Sequence, residues 1–320
     1  ISGNTATRSL GVITNAEGTL RIVNSTFSGN ACNCSSNEAG VLYNFGGTTT
    51  IVGSTFTGNT ANGVAGVLHN FNGSIDIANS AFAGNSAGSN AGAIFNNVGT
   101  MTLANSIVTG NQAGTFGGGI INGSNGTLTI SNSTIAGNNS ATGGGIHRIG
   151  GTLTIRNSIL WGNSNNTLTG STISYSVVEG GFAGTGNLDV NPLFVAPVAF
   201  GAAPTSTGNY RLQNYSPATD AGNNALVPID VLDVNGNSNV TEEAPDLTGN
   251  PRRYNDAGVP DTGAGTAPIV DMGAYERQTD SPLLADLSIT KTDGQTTAIP
   301  GTAITYTIVA SNAGPVAVAS

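Results

Sequence analysis

Apolar residues return along the first half of the chain about every 26 positions, and the polar residues between them return in step. The phrase Asn-Ser-x-apolar-x-Gly-Asn occupies Asn24 to Asn30, Asn79 to Asn85, Asn105 to Asn111, Asn132 to Asn138 and Asn157 to Asn163, with Gly53 to Asn59 as a variant. Its closing Asn falls at 30, 59, 85, 111, 138 and 163, and Gly3-Asn4 stands one period earlier. Within each unit, apolar and polar residues alternate with period two, as in half-buried strands. Aligned units give four inward columns. One holds Ile13, Leu42, Leu68, Ile94, Ile120 and Ile146, and a second Leu20, Thr49, Ile75, Met101, Leu128 and Leu153. A third holds Ile22, Ile51, Ile77, Leu103, Ile130 and Ile155, and the last Phe27, Phe56, Phe82, Val108, Ile135 and Leu160.

Three short strands per unit, joined by Gly and Asn corners, leave no room for helical crossovers, so the chain must coil and pair each strand with its equivalent one turn later. The pattern predicts an all-β, right-handed, single-stranded parallel β-helix of about seven or eight coils over residues 1–188. Asn suits the corners because it tolerates left-handed φ and its amide can bond to the Asn above and below. The sequons at Asn24 and Asn132 are the same corner and are not read as glycosylation sites.

Composition changes this picture little: 47 glycines and 8% charged residues would suggest disorder without the periodicity. Charge is more telling. Residues 1–188 balance Glu17, Glu38, Asp76 and Glu179 against Arg8, Arg21, Arg148 and Arg156, while the remaining residues carry fourteen acids and five bases. Lys291 is the only lysine, which argues against nucleic acid as a partner. No apolar run approaches the ~20 residues of a membrane helix. Cys32 and Cys34 share one loop, readable as a local disulfide, as two thiols or as a cross-link to another chain.

The phrases Gly118-Gly119-Ile120, Gly126-Thr127-Leu128-Thr129-Ile130 and Asn132-Ser133-Thr134-Ile135 resemble the repeats of bacterial polymorphic outer-membrane proteins. Downstream, Asn191-Pro192-Leu193-Phe194, Tyr210-Arg211-Leu212-Gln213, Ser216-Pro217-Ala218, Asp220-Ala221-Gly222, Asp246-Leu247-Thr248-Gly249-Asn250-Pro251-Arg252 and Asp271-Met272-Gly273-Ala274-Tyr275-Glu276 are similar to the choice-of-anchor Q domain of secreted bacterial proteins. The resemblance covers most of residues 1–277. It implies export and a cell-surface or extracellular setting, and brings no established reaction.

Residues 189–280 read as an irregular cap over the end of the β-helix, since an open end exposes strand edges. Within them, Asp233, Asn235, Asn237 and Asn239 alternate as in a calcium loop, followed by Glu242 and Glu243. The alternative is an acidic turn bonding to its own backbone. Residues 281–320 resemble the opening of a bacterial surface β-sandwich repeat: either they belong to a longer domain, or strands in residues 285–310 are donated to a neighbour.

No pair of carboxylates is set up for glycoside hydrolysis within the repeats. The outward column Thr14, Tyr43, His69, Phe95, Ile121, His147 is an exposed apolar stripe on this reading, with Tyr43, His69, Phe95, Ile121 and His147 as the candidate interaction face. Threonines at 48 and 50, 100 and 102, 127 and 129, and 152 and 154 suit any exposed strand better than an ice-binding plane, which Arg21 and Asp76 interrupt. The expectation is a non-catalytic structural or adhesive module that self-associates through its ends and tail. The alternative is a carbohydrate-binding or polysaccharide-degrading β-helix, with a glycan or cell-surface ligand as partner.

Overall fold

The computed structural model describes all residues except 8–10, 34–38, 283–286, 295, 298–299, 302 and 313–320. Arg8, Cys34, Glu38, Ala285, Asp286 and Thr302 thus lie outside the described residues.

Residues 1–178 form a parallel β-solenoid of about six turns rather than seven or eight. Its first and second strands are not separate throughout. In the middle coils they fuse into single bent strands, Leu68–Ala78, Ile94–Ala104 and Ile120–Ser131, and the shorter pairs above and below join the same broad sheet. Three-residue strands such as Thr26–Ser28 and Ala81–Ala83 stack into a narrow sheet of seven. A column of two-residue strands, from Thr5–Ala6 to Gln112–Ala113, makes a third sheet that period-two reading was too coarse to see. The narrow sheet is about 30 Å tall at ~4.8 Å per strand.

Every inward column keeps its register. Phe27 pairs with Phe56 and Phe56 with Phe82, their rings stacked at 4.9 and 4.8 Å, and Val108, Ile135, Leu160 and Val178 continue the row. Like side chains one turn apart stack on one another and form a core closed to solvent.

The two tasks expected of one corner Asn are divided between residues. The opening Asn of the phrase takes the left-handed backbone, with φ of 45–48° at Asn24, Asn79, Asn105, Asn132 and Asn157. The closing Asn leaves that strain to the preceding Gly and turns its carboxamide inward. From Asn4 through Asn30, Asn59, Asn85, Asn111 and Asn138 to Asn163, each Nδ2 donates to the next Oδ1 at 2.9–3.0 Å. A second ladder, Asn15, Asn44, Asn70, Asn96 and Asn122, runs inside the bend of the broad sheet with the same spacing. It also explains the polar member of an inward column: Thr49 Oγ1 accepts from Asn15 and donates to Asn44. The serines of the phrase form a third row, each backbone N–H from Ser25 to Ser158 donating to the Oγ one coil on at 3.1–3.2 Å.

Glycine is required where backbones meet face to face. A Cβ on Gly40, Gly66 or Gly92 would lie 2.1 Å from the carbonyl oxygen of the glycine in the following coil, so this column admits no side chain.

The C-terminal end of the core is closed by residues 179–188, where Phe182 packs on the core and Val178 N–H donates to Leu188. Residues 189–280, expected as an end cap, lie instead along the flank. Thr205 bonds Gly110, Gly273 bonds Asn157, Asn79 Nδ2 bonds Asp246, and Arg21 reaches Leu232. An apolar seam of Ala136, Ile159 and Val177 against Phe194, Tyr210, Leu212 and Met272 joins flank to narrow sheet. Corner backbone accounts for part of this: the flank donates to the Gly110, Asn132 and Asn157 carbonyls, while the Asn132 carboxamide and Asn105 Nδ2 are buried beneath it without a partner among the described residues.

Candidate functional site

The stripe column is real and its exposure is not. Tyr43, His69, Phe95, Ile121 and His147 are in register across five coils, yet Tyr43, His69 and Ile121 are buried and Phe95 and His147 half-buried. Two packing effects remove them from water. Rings stack along the axis, His69 on Phe95 at 4.8 Å and Tyr43 edge-on to His69 at 5.0 Å. The left-handed corner before each strand also folds back over the column: a Cβ on Gly117 would lie 2.2 Å from Ile121 Cγ1, and one on Gly143 2.5 Å from His147 Cβ. Burial holds the His147 pKa below its ordinary value.

What the stripe presents to solvent is a row two positions on, Phe45 and Phe71, stacked at 5.7 Å and 3°. Phe116, stacked on His147, extends the aromatic surface. Alternation places Phe45 on the face of Tyr43, so this row is legible in the sequence.

The proposed calcium residues do come together, around a different centre. Asn235, Asn237 and Asn239 donate their Nδ2 groups to the Glu242 carboxylate at 2.7, 2.6 and 3.2 Å. Their Oδ1 atoms are occupied by backbone N–H groups of Asn237, Asn239 and Thr241, and Asp233 Oδ1 accepts from Ser238. These bonds, Asn235 first, hold the Glu242 pKa below the usual carboxylate range. Glu243 turns away to a bidentate pair with Arg253. The carboxamides offer donors to the centre of the loop, so the arrangement is the self-bonded acidic turn and does not fit a calcium ion. Among the described residues, no three His, Cys, Asp or Glu side chains are grouped to hold a metal. Cys32 is disulfide-bonded.

Charge is concentrated where flank meets solenoid. Arg252 is fully enclosed: its Nη1 donates to Gly273 and its Nη2 to Asn105, Asn132 and Ala274. Burial lowers its pKa, and the carboxylates of Glu276, Asp246 and Asp271 oppose that. Glu276 accepts from the backbones of Tyr254 and Asp271, Asp271 from Asp220 and Arg277, and Asp256 from Ser281, Gly258 and the Arg277 side chain. Burial pushes Asp220 and Asp271 up to about 7 and Glu276 well above its usual value. Only one oxygen of Asp220 accepts a hydrogen bond, which makes it the carboxyl best suited to hold a proton. Asp220, Asp246, Arg252, Asp271 and Glu276 lie in the motifs that carried the family resemblance, while Asp256 and Arg277 lie outside them, and Arg252 ties the flank to the corners at Asn105 and Asn132.

A cleft of about 270 Å³ opens between the outward face of the broad sheet and flank residues 228–234. Asp76, Thr102 and Thr129, one per coil, make its floor, with Thr102 Oγ1 donating to Asp76 Oδ1 at 2.7 Å. Pro228, Ile229, Val231 and Leu232 make its wall. Sequence placed Asp76 outward correctly but could not place the wall, which comes from more than 150 positions away.

Beyond the flank, Leu287–Thr292 and Thr307–Asn312 pair as a two-stranded antiparallel ribbon. Register puts Ile289, Lys291, Ile308 and Ala310 on one face and Ser288, Thr290, Thr292, Thr307, Val309 and Ser311 on the other. Ile289 is 73% exposed and Ile308 60%, and Lys291 Nζ sits 4.0 Å from the Tyr306 ring centroid.

Comparison of the chain with protein-family models, with characterised proteins and with solved structures finds no match. The resemblance to choice-of-anchor Q and polymorphic outer-membrane repeats is therefore supported as far as the parallel β-solenoid. No helix among the described residues is long and apolar enough to cross a membrane.

Proposed function

We propose that the chain is an extracellular structural and adhesive module of a bacterial surface protein, and that copies associate through the C-terminal ribbon. The observation carrying this reading is the apolar face of Leu287–Thr292 and Thr307–Asn312, which leaves Ile289 and Ile308 in water. Two strands cannot bury a face of their own and gain by pairing or packing elsewhere. The solenoid supplies the complementary property. Three axial rows of hydrogen bonds and a stapled flank make a rod that holds its shape without a ligand.

Sedimentation and negative-stain microscopy of the full chain beside a chain ending at residue 282 test this. Concentration-dependent, end-linked rods that disappear on shortening, with the melting temperature retained, are expected. A full chain that stays monomeric at the highest soluble concentration would remove the assembly reading.

A further inference from the structure

We propose that the cleft over Asp76 is the receptor for the ribbon of a second copy, with Lys291 as the inserted side chain. This rests on the self-association reading and names its partner surface. Three observations meet here.

The cleft joins one carboxylate to an aliphatic wall: Asp76 lies in the floor, Ile229 and Leu232 beside it, and Ile229 and Val231 are largely exposed. That combination matches a lysine, whose methylene stem packs on apolar surface while its ammonium seeks an anion. Lys291 is the only lysine of a chain with twice as many acids as bases, and it stands on the apolar face of the ribbon, two residues after Ile289. Among the described residues, neither Asp76 nor Lys291 is in an ion pair; the pairs present are Arg253 with Glu243 and Arg277 with Asp256.

The volume suits one or two side chains and not a whole ribbon. Insertion therefore places the Lys291 ammonium at Asp76, with Thr102 already bonded to the other side of the carboxylate, and lays Ile289 against Val231 at the rim. Donor and receptor are different surfaces of the same molecule, so a one-way contact is heterologous and propagates as a filament wherever its rotation does not close it into a ring or a reciprocal pair.

Charge reversal in the full chain tests the assignment, with sedimentation giving the association constant and circular dichroism checking the fold. Asp76→Lys and Lys291→Asp are each expected to weaken association at least tenfold. Combining the two in one chain should return it to within about threefold of the parent, a recovery that misfolded variants cannot give. The cleft assignment is overturned if Asp76→Lys associates like the parent while the chain ending at 282 does not, an outcome that leaves ribbon-driven assembly intact. A parent that does not associate overturns both readings. Capture of a neutral oligosaccharide, lost on Asp76→Asn while both Lys291 forms associate equally, gives the cleft to a glycan and also overturns the assignment.

Discussion

The coils and the flank solve the same problem, a long backbone with many polar groups to satisfy, in opposite ways. In the coils each polar side chain is answered by its own copy one turn away: Asn85 accepts from Asn59 and donates to Asn111, and both neighbours do the same. In the flank each partner is unique. Arg252 is held by Gly273 and Ala274 within the flank and by Asn105 and Asn132, the corner residues of two successive coils. Repetition spreads stability evenly along a solenoid and lets it be read from a period. A one-off network concentrates stability in a few residues and leaves no period to read.

The comparison predicts how each region breaks. The largest effect is expected from Arg252→Met, which leaves three carboxylates in a dry interface without their cation and should cost about 3 to 5 kcal/mol. Chemical denaturation should then show the flank detaching before the coils melt. One transition at the parent midpoint would mean the network is dispensable. Asn85→Ala comes next. It strands the Asn59 donors and the Phe56 carbonyl and removes one of the two bonds to Asn111 Oδ1, and should cost about 3 kcal/mol. Here one cooperative transition should move as a whole, and a loss under about 1 kcal/mol would show that the ladder relaxes around a gap.

A smaller effect follows from protons. With Asp220 and Asp271 raised to about 7 by burial, the folded chain holds protons between the ordinary carboxyl range and about pH 7 that the unfolded chain has released. Stability from this source is complete at low pH and is lost as pH rises through 7. Asp256 acts in the opposite sense. Burial raises it, but bonds from Ser281, Gly258 and Arg277 win, and its contribution is lost only as pH falls below the usual carboxyl range. Calorimetry should therefore give a melting temperature that declines from about pH 5 to about pH 8, and Asp220→Asn should flatten the decline. A rise over that interval would contradict the assignment. The smallest effect is expected at the Asn235 to Glu242 loop, where added calcium or Glu242→Gln should leave the melting temperature unchanged. A clear increase with calcium would show that the carboxamides reorient around an ion.

The fold was legible because its determinants recur. Six copies of Asn-Ser-x-apolar-x-Gly-Asn, counting the Gly53 variant, fix coil length, and the columns ending at Leu153, Ile155 and Leu160 fix which side chains face inward. The second ladder is equally readable, since Asn44, Asn70, Asn96 and Asn122 each stand two places after an inward Leu or Ile. Exposure was misjudged at His69 because alternation assigns a direction and not a cover, and the cover is a corner four residues upstream. The flank escaped altogether. Nothing local in Asp246 to Arg252 says that its arginine lies between Asn105 and Asn132. At the loop 233–243 the sequence leaves the calcium loop and the self-bonded acidic turn both open for a related reason: the pattern counts carboxamides, while the ligand chemistry depends on which end of each points inward.

In both asparagine ladders every carboxamide donates toward the coil that follows, from Asn4 to Asn163 and from Asn15 to Asn122, so the side-chain dipoles add along the axis. The rod is therefore electrically directional, with its side-chain carbonyl oxygens pointing toward the N-terminal coils and its amide groups toward the C-terminal ones. Two rods packed end to end in opposite senses would set like groups against each other. Rods following one another in the same sense would not, and a filament of this protein would inherit a single polarity from its amides.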